Sequence, residues 1–158
     1  MKQAALREIK KELKTSDPQQ LQELCLRLAK YKKENKELLS YLLFDAIDEQ
    51  AFVQNVKNEI DEQFKQLNRH SIYLAKKTIR KVLKTTDKFI KFSGSKETEI
   101  ELLIHFCQKL KNSGQNVSSK GVIFNIYQRR VERIKKVLSL LHEDLQFDYE
   151  EAVEDLWN

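Results

Sequence analysis

A chain of 158 residues with three glycines and one proline has few ways to turn sharply. Sandwiches and barrels of short strands need a turn about every ten residues, built from residues that tolerate positive φ or preset a bend. Here the breakers stand singly, at Pro18, Gly94, Gly114 and Gly121. Between them apolar residues recur at intervals of three and four, the spacing of one helix face. The pattern predicts an all-α protein of seven or eight helices in stacked antiparallel pairs, an α-α superhelix or helical-repeat-like bundle. With 41% hydrophobic residues the chain has material for a core, and its length suits a single domain over 1–158.

The helix ends can be placed from cap chemistry. A first helix from about Lys2 to Lys14 stops before Ser16-Asp17-Pro18, because proline disfavours helix at the residue before it. Asp17, Pro18 and Gln20 then form the cap, first position and capping-box partner of a second helix, with Leu21, Leu24, Cys25 and Leu28 on one stripe. Asn35 is expected to cap a third, with Leu38, Leu39, Leu42 and Leu43 facing inward. Asp48 caps a fourth reaching about Leu67, whose stripe is Phe52, Val56, Ile60 and Phe64. A fifth spans about Arg69 to Phe92 and ends at Ser93-Gly94.

Ser95 opens a sixth helix that is apolar over much of its girth, from Ile100 through Leu102, Phe106 and Cys107 to Leu110, which predicts a central position. A seventh is expected from about Lys120 to Asp144. Asp148 and Glu151 read as the capping box of a last short helix, so that 145–158 forms an acidic C-terminal capping segment with Phe147, Val153, Leu156 and Trp157 over the end of the stack. Ile79-Arg80-Lys81-Val82-Leu83 and Ile134-Lys135-Lys136-Val137-Leu138 match at an offset of 55 residues. This suggests a repeat of two hairpins, helices four with five and six with seven.

Charge is distributed in blocks. Lys65 to Lys96 holds ten basic residues and one acid, Asp87, whereas Glu143 to Asn158 holds seven acids and no base. On the fifth helix, Ile72, Ala75, Ile79, Val82, Leu83, Thr86 and Ile90 fall on one side. Tyr73, Lys77, Arg80, Lys81, Lys84, Lys88 and Lys91 fall on the other. Six cations on one face repel by about 0.2–0.5 kcal/mol per i,i+4 pair. Such a row suits a phosphate backbone, with Tyr73 placed to stack on an unpaired base. A solvated face is an alternative reading, as is pairing with acid from this chain or a second copy.

Arg130 projects from the apolar stripe of the seventh helix between Ile126, Tyr127, Val131 and Ile134. A cation there needs a partner. Glu59 or Glu62 of the fourth helix is the expected one; an aliphatic stem packed with its head in water and an anion-binding arginine in a cleft are the alternatives. None of His70, His105 and His142 has a glutamate three residues before it, so a di-iron carboxylate bundle fails on spacing. His105 is expected to make a solvated contact with Glu101. Cys25 and Cys107 lie on apolar stripes without Cys-x-x-Cys spacing, and the glycines form no phosphate-cradling loop. No metal, cofactor or catalytic residue is expected, nor an enzyme.

Lys10-Lys11-Glu12-Leu13, Ser16-Asp17-Pro18-Gln19-Gln20-Leu21, Leu24-Cys25-Leu26-Arg27-Leu28 and Asn35-Lys36-Glu37-Leu38-Leu39 lie between Leu6 and Leu43, about a quarter of the chain. This stretch resembles the start of an uncharacterised family of small all-helical bacterial proteins with a domain of unknown function. The resemblance implies a helical, HEAT-like architecture and transfers no catalytic residue. Without an apolar run of 18 residues or a signal-peptide centre, the chain is expected to be soluble and cytoplasmic, away from membranes. Its function is expected to be that of a non-catalytic protein–protein interaction or adaptor module, joined to a protein partner or to itself. Nucleic-acid or polyanion binding through the fifth helix is the alternative.

Overall fold

The computed structural model describes residues 3–157, and within them every regular element is helical: eight α-helices and one π-helical turn. Lys2, the expected first helical residue, and Asn158, the end of the acidic segment, lie outside the described residues. The chain forms two compact units, the first closing at Asp45 and the second opening at Ala46.

The first unit contains α1 (Leu6–Thr15), α2 (Pro18–Tyr31), α3 (Lys33–Ser40) and the π-helical turn Tyr41–Asp45. The α2 cap follows the sequence: Asp17 Oδ1 accepts from the Gln20 N–H at 2.8 Å, and Gln20 Oε1 accepts from the Asp17 N–H at 3.1 Å. Asn35 does not cap α3. That helix starts two residues earlier, and the Asn35 side-chain amide instead donates to the Leu28 carbonyl at 2.8 Å, tying α3 to the end of α2. Helix α2 packs on α3, whereas α1 packs closely on neither. No residue of the three helices is buried. Leu42 and Leu43, expected inside, are exposed with Phe44 while Tyr41 is buried. A π turn takes more residues per turn than an α-helix, so it rotates the following side chains off the leucine stripe.

The second unit has a true core. It consists of α4 (Glu49–Lys65), α5 (Ile72–Ser93), α6 (Lys96–Lys111), α7 (Val122–Leu138) and α8 (Glu143–Trp157). Helix α6 is central, packing against the four others, while α4 pairs with α5 and α6 with α7. Ile100, Leu102, Leu103, Phe106 and Leu110 of α6 are fully or almost fully buried, each stabilising the unit by roughly 1.5–3 kcal/mol. Phe106 meets Phe64 of α4 with ring centroids 5.8 Å apart.

The last two helices divide differently from the sequence expectation. Helix α7 ends at Leu138 and α8 begins at Glu143, five residues before Asp148. Polar groups close the break: Ser139 Oγ donates to the Lys136 carbonyl at 2.8 Å and Gln146 Nε2 to the Leu141 carbonyl at 2.8 Å. Glu143 and Asp144 then occupy the first turn of α8, where carboxylates favour the helix dipole. Val153 and Leu156 seat α8 on α6 and α7, and Tyr127 Oη donates to the Leu156 carbonyl at 2.6 Å. Lys135 Nζ lies 3.7 Å from the Trp157 ring centroid, while Phe147 is exposed.

Candidate polyanion interface on α5

Helix α5 is set in place at both ends by local chemistry. Asn68 Oδ1 accepts from the N–H groups of His70 and Ser71 at 2.8 and 2.9 Å, folding the preceding segment into a turn. Ser71 Oγ accepts from the Leu74 N–H at 3.3 Å, so the helix begins at Ile72, after Arg69. Its end is fixed by Gly94 at φ 68°, whose N–H reaches the Ile90 carbonyl at 2.9 Å. A side chain there would be strained by the left-handed backbone. Twenty-two residues give a rod about 33 Å long.

The rod has two unlike sides. Ala75, Ile79, Val82 and Thr86 are buried, and Thr86 Oγ1 is satisfied by donating to the Val82 carbonyl at 2.9 Å. Ile72, assigned to the core side by periodicity, is exposed at the first helical position. Tyr73, Lys77, Arg80, Lys81, Lys84 and Lys91 are exposed and share a sector of about 100°. Lys88 in the same sector is half-buried, with Nζ 4.6 Å from the Phe89 ring centroid. Tyr73 is 76% exposed, so its ring face is available for stacking. Among the described residues, Lys77, Arg80, Lys81 and Lys84 enter no ion pair.

Several acids of α4, α5 and α6 are engaged with other groups. Asp87, the lone carboxylate of the basic block, meets Arg130 Nη1 at 3.2 Å. This corrects the expected pairing of Arg130 with Glu59 or Glu62: α7 packs against α5 and α6, so the arginine meets α5. Glu62 instead pairs with Lys65, and Glu59 accepts from Gln63 Nε2 at 3.2 Å. Burial pushes the Asp87 carboxyl above its ordinary value although Arg130 and Lys91 pull the other way. Glu99 binds Arg133 through two hydrogen bonds of 2.6 and 3.2 Å.

A second polar cluster joins α4 to α6, and no residue spacing pointed to it. His105 Nε2 lies 2.6 Å from Asp61 Oδ1, and Lys109 Nζ lies 3.1 Å from Asp61 Oδ2. Burial raises the Asp61 carboxyl, but hydrogen bonds and charge from His105 and Lys109 outweigh it and hold the group below its ordinary value. The expected Glu101–His105 contact is replaced, because Glu101 binds Lys57 at 2.8 Å and accepts from Tyr149 Oη at 3.3 Å. Burial pushes the Cys107 thiol up to about 12, which leaves it an inert core group. Cys25, placed on the same kind of stripe, is exposed. Among the described residues no group of three or more histidines, cysteines and carboxylates is arranged to hold a metal ion.

Fold and surface together define a small all-α protein of eight described helices that presents one open cationic helix face. No family model, no curated protein and no solved structure matches the chain. None of the described helices is long and apolar enough to cross a membrane.

Proposed function

We propose that this protein binds a polyanion, and specifically nucleic acid, through the exposed face of α5. One observation carries the reading: among the described residues Lys77, Arg80, Lys81 and Lys84 stand in a row without an ion pair, while Asp61, Asp87 and Glu99 are engaged by His105, Arg130 and Arg133. Lys77, Lys81, Lys84, Lys88 and Lys91 succeed one another at three or four residues, about 5 Å of rise, with Arg80 beside Lys81, so the row follows a chain of phosphates. Tyr73 adds an aromatic surface for an unpaired base at one end of the row. No chemistry on the ligand is part of this reading; the role is binding, in the cytoplasm, without a cofactor.

Fluorescence anisotropy with labelled single-stranded RNA tests it. Binding at 50 mM salt is expected, with a slope of log K on log salt of about −4 if the six cations are used. Lys81→Glu with Lys84→Glu should reduce the magnitude of that slope by about 1.4 without unfolding the protein. Absence of binding at 50 mM salt, or a double variant that binds as wild type, would overturn the reading.

A second reading, an interaction or adaptor module, is supported by a different observation. The helices of the first unit leave leucines and aromatics in water. The resemblance to small all-helical bacterial proteins and the HEAT-like repetition belong to this reading. The repetition is supported by the buried Ile79 and Val82 of α5, which correspond in the matched strings to the buried Ile134 and Val137 of α7.

A further inference from the structure

We infer that the first unit is a self-association element whose groove between α2 and α3 receives α1 of a second copy. This deepens the adaptor reading and is independent of the cationic face. The groove is lined by Cys25, Leu28, Ala29, Leu38, Leu39 and Leu42, with Asn35 at its edge. The Asn35 amide is engaged on the Leu28 carbonyl, and no charged side chain lines the groove. Apolar surface is therefore its complement. Helix α1 supplies that surface: Leu6, Ile9 and Leu13 form one stripe and are exposed, Leu6 at 82%.

Ridge and groove belong to the same unit, and α1 packs closely on neither α2 nor α3 of its own chain. Two copies that exchange ridges fill both grooves, giving a closed two-fold contact. The exposed residues of ridge and groove, Leu6, Ile9, Leu13, Leu28 and Leu42, offer on the order of 500 Å² of apolar surface per copy, comparable with the apolar half of the roughly 800 Å² a side that a stable interface buries. A unit of about 45 residues whose three α-helices bury no residue lies near the lower size limit, about 40 residues, below which chains usually need a disulfide, a metal or a partner subunit. Neither cysteine is in a disulfide.

The test uses the full chain. Light scattering after size exclusion should give twice 18.8 kDa. Leu28→Asp, a change at a site 61% exposed, should leave helicity intact and weaken the dimer about 100-fold by placing a charge in an apolar contact. Ile9→Cys should form a disulfide with Cys25 of the other copy, each link passing two electrons and two protons to dissolved oxygen. Linked dimers should then appear on a non-reducing gel and vanish when Cys25→Ser is added. A monomer at every concentration, a dimer unaffected by Leu28→Asp, or a link formed within one chain would each overturn the proposal. RNA binding by the Leu28→Asp monomer is expected to persist, which keeps failure of this contact distinct from failure of the α5 face.

Discussion

Helices α2 and α6 are both rich in leucine, and they have opposite fates. In α6 eight residues are buried, because four other helices surround it. In α2 none is buried, and Leu24, Leu26, Leu28 and Tyr31 stand exposed. The difference teaches that an apolar stripe announces a demand for cover and says nothing about its supply. In the second unit the supply is internal. In the first it is absent from the unit itself, which directs attention to a partner of the same chemistry.

The contrast can be broken first by cutting a side chain on each side of it. Phe106→Ala in α6 should lower stability by about 3–5 kcal/mol in urea unfolding, the cost of a cavity at a fully buried aromatic. Leu26→Ala in α2 should change it by less than about 0.5 kcal/mol. Equal losses would mean that the two units are packed alike.

A smaller effect is expected at the ion pair that fastens α7 to α5. Arg130→Met leaves Asp87 half-buried without its cation and should cost about 2 kcal/mol at neutral pH. The sign with pH follows from the carboxyl, whose folded pKa lies above its unfolded value. A raised acid binds more protons in the folded state, so the penalty is full above the folded pKa and disappears below about pH 4. Urea titrations of the variant from pH 7 down should show the loss shrinking. A loss that grows in acid would remove Asp87 as its cause.

Asp61→Asn should have the smallest effect, about 1 kcal/mol at neutral pH, because the carboxylate is partly solvated while it holds His105 and Lys109. Here the folded pKa is lowered, so the stabilisation is present above the unfolded value and is lost as pH falls through the folded one. Wild type and variant should converge once the pH has fallen below the folded value. A difference that persists in strong acid would mean that the site acts through packing.

Much of the fold was legible because caps are local. Asp17 with Gln20, Asp48, Ser95 and Gly94 mark helix ends through contacts three or four residues away, and each stands at the end it indicates. The two faces of α5 were legible for a similar reason: a 3.6-residue period places side chains without knowledge of what packs against them. Errors arose where the period itself changed or a local contact competed. The π turn after Ser40 rotated Leu42 and Leu43 outward, and Asn35 bonded to α2 in place of capping α3. At Ser139 an apolar pattern continued through Leu140 and Leu141 although the backbone did not.

The partners of charged groups were beyond the sequence. Arg130 with Asp87 and His105 with Asp61 are separated by 43 and 44 residues, and helix surfaces offer many carboxylates at similar spacing. By itself the sequence determined that the chain is helical, where most helices stop, and that one of them carries its cations along one side, because these follow from backbone geometry over a few residues. Only the tertiary structure decided which acids neutralise which bases, that α5's row stays open, and which leucines find cover. Those outcomes depend on the packing of helices distant in the chain, where a displacement of one turn exchanges one partner for another.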